Sequence, residues 1–589
     1  MNRVFTFLKT PRKGRFSFSS MKYFTAILIL LAWLMPLHFI PWTSWHSEAI
    51  VFFAVFLCAW TSLFKLLPDK RSRQLKLPYL VLPFAMMAIT AVVQAMTGVM
   101  TFWGDAFVFF CYSILCILCL GIGFASNQQT HTPETAAGAG CTSDSILTLF
   151  AFTLILGSFT SVMVALLQVF ELCQDSAWIN RMPQLRRPGG NLAQPNHLAT
   201  LVLMGISSLV FVYESGKLKK ASSIFILLTL SIGLAITESR TGLLSMLLLS
   251  CWWGIKKNKI FDRVSSLLVF LAVIGFLAFF LAWPSIFIFI QQQSSGFSAG
   301  VNTKAGVRLV VWSQLLEAVT HRPLWGWGLG EVAKAHNSIA HNYLVSEPFS
   351  YAHNILLDLA LGIGIPLTGV VVLLAGVWSW RRIRHVAHTQ TWYCVAIVLP
   401  LAIHSLLEFP FAYAHFIAPV LFAVGVLEGR LKPESGFVIN VRFAAVFLFV
   451  ISVLACWSAV EYLEIEEDFR IARFEALKIG QKPADYVAPK VILLTQLKAL
   501  LTATRISPKP CMSPDELDIV KKTALRYPWS ATQNRYALSL ALNGYRDEAI
   551  RQLKVIRALH GEKVYLSIKN YWITLGDTQF PQLKLIPIP

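Results

Sequence analysis

Thirteen stretches of the chain are apolar for long enough to cross a bilayer, and no other feature restricts its fold so strongly. They lie near 24–40, 47–67, 77–96, 105–124, 145–170, 197–213, 221–236, 240–255, 264–290, 354–380, 391–407, 411–427 and 442–460. A spanning helix needs about 20 mostly apolar residues. Inside a bilayer every backbone N–H and C=O must be satisfied within the protein, which leaves helices or a closed barrel. Runs of this length select helices. The predicted fold class is an all-α polytopic membrane protein of about 13 transmembrane helices, the runs near 221 and 240 being the shortest. Composition agrees: 56% of residues are hydrophobic and 14% charged, against about 25% charged in soluble domains. That excludes a disordered chain, a disulfide scaffold and a soluble enzyme. The first run follows Lys9, Arg12, Lys13, Arg15 and Lys22 but no small-x-small cleavage site, so it reads as an anchor that stays.

The chain is nevertheless basic, with 51 Lys and Arg against 31 Asp and Glu. Cytoplasmic loops collect Lys and Arg. With the N-terminus inside, the inner segments hold 24 of them and the outer loops eight: Arg181, Arg186, Arg187, Arg240, Lys304, Arg308, Arg322 and Lys334. The remaining 19 lie beyond residue 460, which an odd number of spans places outside. The basic excess is thus mainly topology and not a nucleic-acid signal.

Three regions are predicted. Residues 1–20 form a basic cytoplasmic tail. Residues 21–460 form the membrane domain, interrupted by outer loops at about 171–196 and 291–352. Within the larger loop, 304–320 has helical apolar spacing. Residues 461–589 lose the long apolar runs and read as a soluble helical domain on the outer side. Its segment 531–561 has two amphipathic stretches parted by Asn543-Gly544, like one tetratricopeptide repeat. A small helical bundle fits equally. Cys511 stands alone there, so no disulfide forms within the tail.

The eight outer-loop basic residues run against the charge rule and need a reason. Arg186 and Arg187 sit with Arg181 in RMPQLRRPGGNLAQPNH, Arg240 in TESRTG, and Arg308 heads the 304–320 segment. A single arginine is accounted for by headgroup contact or loop solubility. Several together at the outer face favour binding of a phosphate or pyrophosphate, which the planar guanidinium grips well. Histidine is skewed the same way: of thirteen, only His131, His385 and His388 fall inside. His353-Asn354 stands where a loop enters a span. The helix dipole there disfavours imidazolium, and a neutral imidazole suits a general base. A capping or interfacial histidine is the plainer alternative. His404 and Glu408 share a helix face at i, i+4 and either orient each other or cap a span. No Walker loop, HExxH or Asp-x-Asp occurs, and His336 and His341 are spaced wrongly for a metal site on one helix face. The run LWGWGLGE (324–331) fits a turn at the interface or a sugar-stacking surface.

In six pieces the sequence resembles the O-antigen ligase superfamily, and more closely the PglL-type bacterial O-linked oligosaccharyltransferases. These are RRPGGNLAQPNHLAT (186–200), ITESRTGLL (236–244), RLVVW (308–312), RPLWGWGLGE (322–331), AHNILLDLALGIGIPLTG (352–369) and HSLLEFPFAYAHF (404–416). The resemblance implies a GT-C-like membrane fold. It implies an inverting transfer of a glycan from an undecaprenyl-pyrophosphate carrier to a hydroxyl of an exported protein such as a pilin. That transfer takes place on the periplasmic side of the bacterial inner membrane, without metal or other cofactor. By motif it implies His353 as the catalytic histidine. It puts Gln194 in the role of a functionally important glutamine, and Arg240 and Arg308 in the role of pyrophosphate holders. Arg186, Arg187, Asn354, His404, Glu408 and Tyr413 complete the expected substrate-binding set. Where the family commonly has Tyr after the glutamate, this chain has Phe409, with Tyr413 nearby as a substitute. Lipopolysaccharide O-antigen ligases and O-antigen polymerases share the donor and remain an alternative. A transporter is the rival from another class, but no internal repeat supports it.

Overall fold

The computed structural model describes residues 18–67, 74–128, 140–172, 175–182, 186–291, 305–477, 479 and 486–589. Most of the expected cytoplasmic tail (1–20), His131 and Lys304 lie outside the described residues. Five helices come first: α1 (Phe18–Leu34), α2 (Trp45–Leu66), α3 (Leu82–Met96), α4 (Trp103–Gln128) and α5 (Gly140–Val169). Then come α6 (Pro195–Glu214), α7 (Lys220–Ile236), α8 (Arg240–Ile260) and α9 (Ser266–Gln291). The larger loop contributes α10 (Ala305–His321) and α11 (Val332–Ala340). The chain returns through α12 (Ile355–Ile363), α13 (Ile365–Arg384), α14 (Thr389–Ser405), α15 (Ala414–Leu431) and α16 (Val441–Ala476). It closes with α17 (Thr495–Arg505), α18 (Pro514–Arg526), α19 (Ser530–Leu542) and α20 (Arg546–Thr578).

The chain is an all-α polytopic membrane protein. Each of the thirteen apolar stretches holds a helix, and among the described residues eight helices are long and apolar enough to cross a membrane. Burial separates the centre from the rim. In α6, 83% of the apolar window is buried, against 11% in α9 and in α16. The core accordingly runs through α5, α6, α14 and α15, where Leu154, Leu201, Ala396 and Phe416 are closed off. Between α4 and α15 the helices touch through glycine. A Cβ on Gly123 would lie 2.2 Å from the Phe422 carbonyl oxygen, and one on Gly425 2.3 Å from that of Leu120. Small residues permit such approach in membrane bundles, where packing rather than water drives association.

The loops sort into two ends. At one end His38 bonds the Asn191 carbonyl, Trp33 donates to that of His415, and the Gly104 amide donates to Thr495 Oγ1. At the other, β1 (Gln74–Leu77) pairs antiparallel with β2 (Phe437–Asn440), and Lys256 donates to the Val386 carbonyl. The first end holds the polar motifs and is called the site end below.

One apolar stretch departs from its sequence reading. The run 354–380 reads as a single span, but the helix breaks between α12 and α13. Gly364 has φ +81°, and a Cβ there would lie 2.2 Å from the Leu324 carbonyl oxygen. The LWGWGLGE loop fills the break and takes its free backbone groups: Ile365 N–H donates to Pro323, and Trp327 N–H to the Leu361 carbonyl. Non-helical backbone near a membrane needs such internal partners.

Beyond residue 476, α17 to α20 pack as successive neighbours, with Gly544 at φ +87° turning the chain between α19 and α20 and Gly561 at φ +77° kinking α20. They dock on the site end. Arg526 clasps Asp105 of α4 through Nε (2.9 Å) and Nη2 (2.8 Å). The Ser346 amide donates to the Ala558 carbonyl. Glu461 of α16 accepts from the backbone amides of Ile492, Leu493 and Leu494 ahead of α17.

Candidate active site

The chain leaves α14 at Ser405, turns through 406–413, where Pro410 opens a short 3-10 turn, and re-enters at α15. Glu408 sits in that turn with its side chain 1% exposed. Both oxygens are fully occupied. Oε1 accepts from Arg308 Nη2 at 2.6 Å and Asn196 Nδ2 at 2.6 Å. Oε2 accepts from Gln194 Nε2 at 2.7 Å and meets His404 Nε2 at 3.2 Å. His404 is closed off, its other ring nitrogen 2.7 Å from Thr200 Oγ1. Burial alone would raise the carboxyl. The His404 hydrogen bond and the Arg308 charge overcome it and hold Glu408 well below the usual carboxylate range.

Three arginines of the expected set converge here. Arg308 also donates to the Leu407 carbonyl, and its side chain stays 38% exposed. Arg186 pairs through Nε with Glu238 at 2.7 Å. Arg187 donates to the Thr237 carbonyl (2.9 Å) and to Asn196 Oδ1 (3.4 Å). Burial lowers the pKa of Arg187. Glu238 and Glu408 push back, and Arg308 and Arg186 add to the lowering, so all five charges lie within electrostatic reach. Arg240 is the first residue of α8, exposed and without an ion pair among the described residues, two positions from Glu238. Arg181 is likewise exposed and joins none of these pairs. Helices α6, α8 and α12 all begin at this end, and helix N-termini favour anions.

His353 lies two residues before α12, next to its cap. The cap is Asn354, whose Oδ1 accepts from the amides of Leu356 (2.9 Å) and Leu357 (3.3 Å). Its Nδ2 donates to the Leu406 carbonyl at 3.0 Å, so Asn354 is spent on joining two loops. His353 has φ +55°. Its ring is flanked by Phe349 (4.4 Å between centroids) and, edge-on, Phe409 (4.7 Å), and its Nδ1 has no hydrogen-bond partner. Its pKa is pushed down to about 4, by burial first and by Arg308 second. Burial and the neighbouring cation act in the same direction as the helix N-terminus, and all three favour a neutral imidazole. Arg186, Ala193 and Glu238 also hold positive φ at this end, and strained backbone of this kind clusters at functional sites.

Phe409 forms the wall behind His353. Tyr351 stacks on it at 4.9 Å, and Tyr413 lies at 5.9 Å on the way to His197 (4.7 Å from Tyr413). The LWGWGLGE loop serves the helix break instead. Trp327 is buried and donates to the Ala318 carbonyl, leaving Trp325 as the exposed aromatic. His336 bonds Gln314 and Ser346 in a separate buried knot. Among the described residues no three His, Cys, Asp or Glu side chains group to hold a metal ion.

Four residues at the site were not singled out from sequence: Asn196, Thr200, Glu238 and Tyr351. The first three lie inside the quoted motifs RRPGGNLAQPNHLAT and ITESRTGLL. Only their place inside these motifs points to them, because their partners Glu408, His404 and Arg186 lie far away in sequence.

Three family models match the chain: an O-antigen ligase model over residues 225–372, a protein glycosylation ligase model over 188–212, and the C-terminal model of a virulence factor membrane-bound polymerase over 392–569. A general O-oligosaccharyltransferase of Acinetobacter baylyi is 25% identical over 548 residues, covering 91% of this chain and 92% of the relative. A ComP-specific O-oligosaccharyltransferase of the same organism is 27% identical over 384 residues, covering 64% and 66%. These matches bear out the resemblance to PglL-type O-oligosaccharyltransferases within the O-antigen ligase superfamily. They support protein O-glycosylation by a membrane-bound glycosyltransferase.

Proposed function

We propose that the protein transfers a glycan en bloc from undecaprenyl pyrophosphate to a Ser or Thr hydroxyl of an exported protein, such as a pilin. The transfer occurs at the periplasmic face of the bacterial inner membrane, with inversion and without a metal. The observation that carries this reading is the meeting of arginines from two remote segments, 186–187 and 308, beside a neutral histidine at one end of the bundle. The charge pattern supports placing that end outward, because the opposite end gathers the Lys- and Arg-rich loops.

In this scheme the donor's lipid tail stays in the bilayer. Its pyrophosphate meets Arg308, Arg186, Arg187 and Arg240, with Gln194 beside them. His353 takes the proton of the acceptor hydroxyl as that oxygen attacks the anomeric carbon. The arginines stabilise the negative charge that grows on the departing lipid pyrophosphate, where preorganised charge acts most strongly. Glu408, His404 and Asn354 hold this frame rather than touch the reacting atoms. Helices α17 to α20 form the outer helical domain (461–589), next to the loop that carries His353, and help to present the acceptor.

Near-complete coverage of a general O-oligosaccharyltransferase favours a protein acceptor over lipid A core or a growing O-antigen chain. The test is His353→Ala in a cell that makes both the lipid-linked glycan and a pilin, read by glycopeptide mass spectrometry. Loss of glycopeptides at normal enzyme level is expected. Undiminished pilin glycosylation would overturn the assignment of the base. Glycan found on lipid A core would overturn that of the acceptor.

A further inference from the structure

We propose that Glu408 and Glu238 set the charge of the donor site, so that it fits a pyrophosphate diester and lets the product pyrophosphate leave. This rests on the function proposed above and names a property of the same site.

Two arginines of the site are already engaged by carboxylates without any ligand, Arg308 by Glu408 and Arg186 by Glu238. The glutamates are not placeholders that a ligand would displace. Glu408 lies beneath the arginine, 1% exposed, with all four acceptor positions taken by Arg308, Asn196, Gln194 and His404. Arg308 gives it one nitrogen and the Leu407 carbonyl another, while 38% of the side chain remains exposed. Glu238 is 15% exposed and takes Arg186 through Nε alone. Each arginine therefore keeps donors for an incoming anion while its charge is partly balanced from behind. Buried ion pairs are a poor way to gain stability, since apolar replacements often serve as well. Their presence at the mouth of an anion site calls for another reason.

Charge counting supplies one. Arg186, Arg187 and Arg308 with Glu238 and Glu408, together with Arg240 where the proposed function places it, leave a formal excess of two positive charges. A lipid pyrophosphate esterified to a sugar has two acidic oxygens and carries two negative charges. Transfer breaks the bond between the anomeric carbon and the pyrophosphate oxygen, and the bonding pair stays on that oxygen. The acceptor oxygen bonds to the carbon, and its proton passes to His353. The product is a terminal pyrophosphate with a third ionisable oxygen, largely ionised near neutral pH because such groups titrate near about 6. The product is thus more negative than the donor and is held more firmly by the same arginines. Without the glutamates the excess is four, and release of the product slows the cycle, a step that often limits turnover.

The experiment uses the full chain in nanodiscs, with a polyprenyl-pyrophosphate-linked sugar as donor. Undecaprenyl pyrophosphate and undecaprenyl phosphate serve as probes in both inhibition and direct binding. For Glu238→Gln and Glu408→Gln, inhibition by undecaprenyl pyrophosphate tightens by about ten-fold. The monophosphate tightens less, donor KM falls and kcat falls with it. A purely structural role gives the opposite pattern: weaker binding, higher KM and lower thermal stability. Unchanged or weaker pyrophosphate inhibition in Glu238→Gln overturns the proposal, even if Glu408→Gln does not fold. If the wild type transfers glycan and the variants do not tighten, only this inference falls. If the wild type neither uses the donor nor binds undecaprenyl pyrophosphate, the function proposed above falls with it.

Discussion

Two arginine–glutamate pairs stand at opposite ends of the bundle and teach different things. At the end away from the site, Arg382 of α13 clasps Glu428 of α15 through Nε (2.6 Å) and Nη2 (2.9 Å), and Trp378 donates to the same carboxylate. The Arg382 side chain is 15% exposed and spends its fork on one partner. At the site end Arg308 offers Glu408 a single nitrogen, and other groups fill the rest of the carboxylate. The chemistry of the two pairs is the same. Unspent donor capacity distinguishes them: Arg382 is a clamp between two helices, and Arg308 is a clamp with an open side.

The largest effect expected at the open end comes from His353→Ala, which lowers kcat by about 10²–10⁴-fold, measured as single-turnover transfer. Arg308→Gln follows, lowering kcat/KM by about 10²–10³-fold. The closed clamp behaves in reverse. Arg382→Leu leaves the unpaired Glu428 buried and costs about 3–5 kcal/mol of stability, read as a drop in thermal midpoint, while the rate per folded molecule changes little. Equal losses of rate in Arg308→Gln and Arg382→Leu would erase the distinction. The smallest and most diagnostic effect is on pH dependence. His353 works as neutral imidazole, so kcat/KM falls as pH drops through about 4. Removing the Arg308 charge raises the pKa of His353 and moves this acid limb upward. The limb does not return to the ordinary histidine value, because burial is the larger cause. A limb that stays in place in Arg308→Gln would show the two groups to be uncoupled.

The difference between the ends also explains what the sequence discloses. Arginines in outer loops stand out because they oppose the positive-inside trend, so Arg186, Arg187, Arg240 and Arg308 were visible one by one. Their counter-charges were not. Glu238 lies 52 positions from Arg186, and Glu408 lies 100 from Arg308. A carboxylate has no sequence mark until folding supplies its partner. Glu408 drew notice through its spacing from His404, whereas Asn196 and Thr200 had no such mark. The break at Gly364 escaped because hydropathy is blind to φ: Ile363, Gly364 and Ile365 are as apolar as the span around them. Likewise the neutral state of His353 is legible from its place at a helix N-terminus, whereas the burial that lowers its pKa further follows from the packing of Phe349 and Phe409.

The sequence reading begins the tail at 461, where the apolar run ends, yet α16 passes from residue 441 to 476 without interruption. At 1.5 Å per residue its 36 residues measure about 54 Å, well beyond a hydrocarbon core of about 30 Å. The tail is therefore mounted on a mast rather than tied by a string. Glu461 and Tyr462 fasten the mast partway up, to the start of α17 and to the Trp42 backbone. In the proposed scheme, an acceptor docked on the tail helices is thus held against the end of the bundle that carries His353 by side-chain contacts along the mast and at Asp105, and not by a tether.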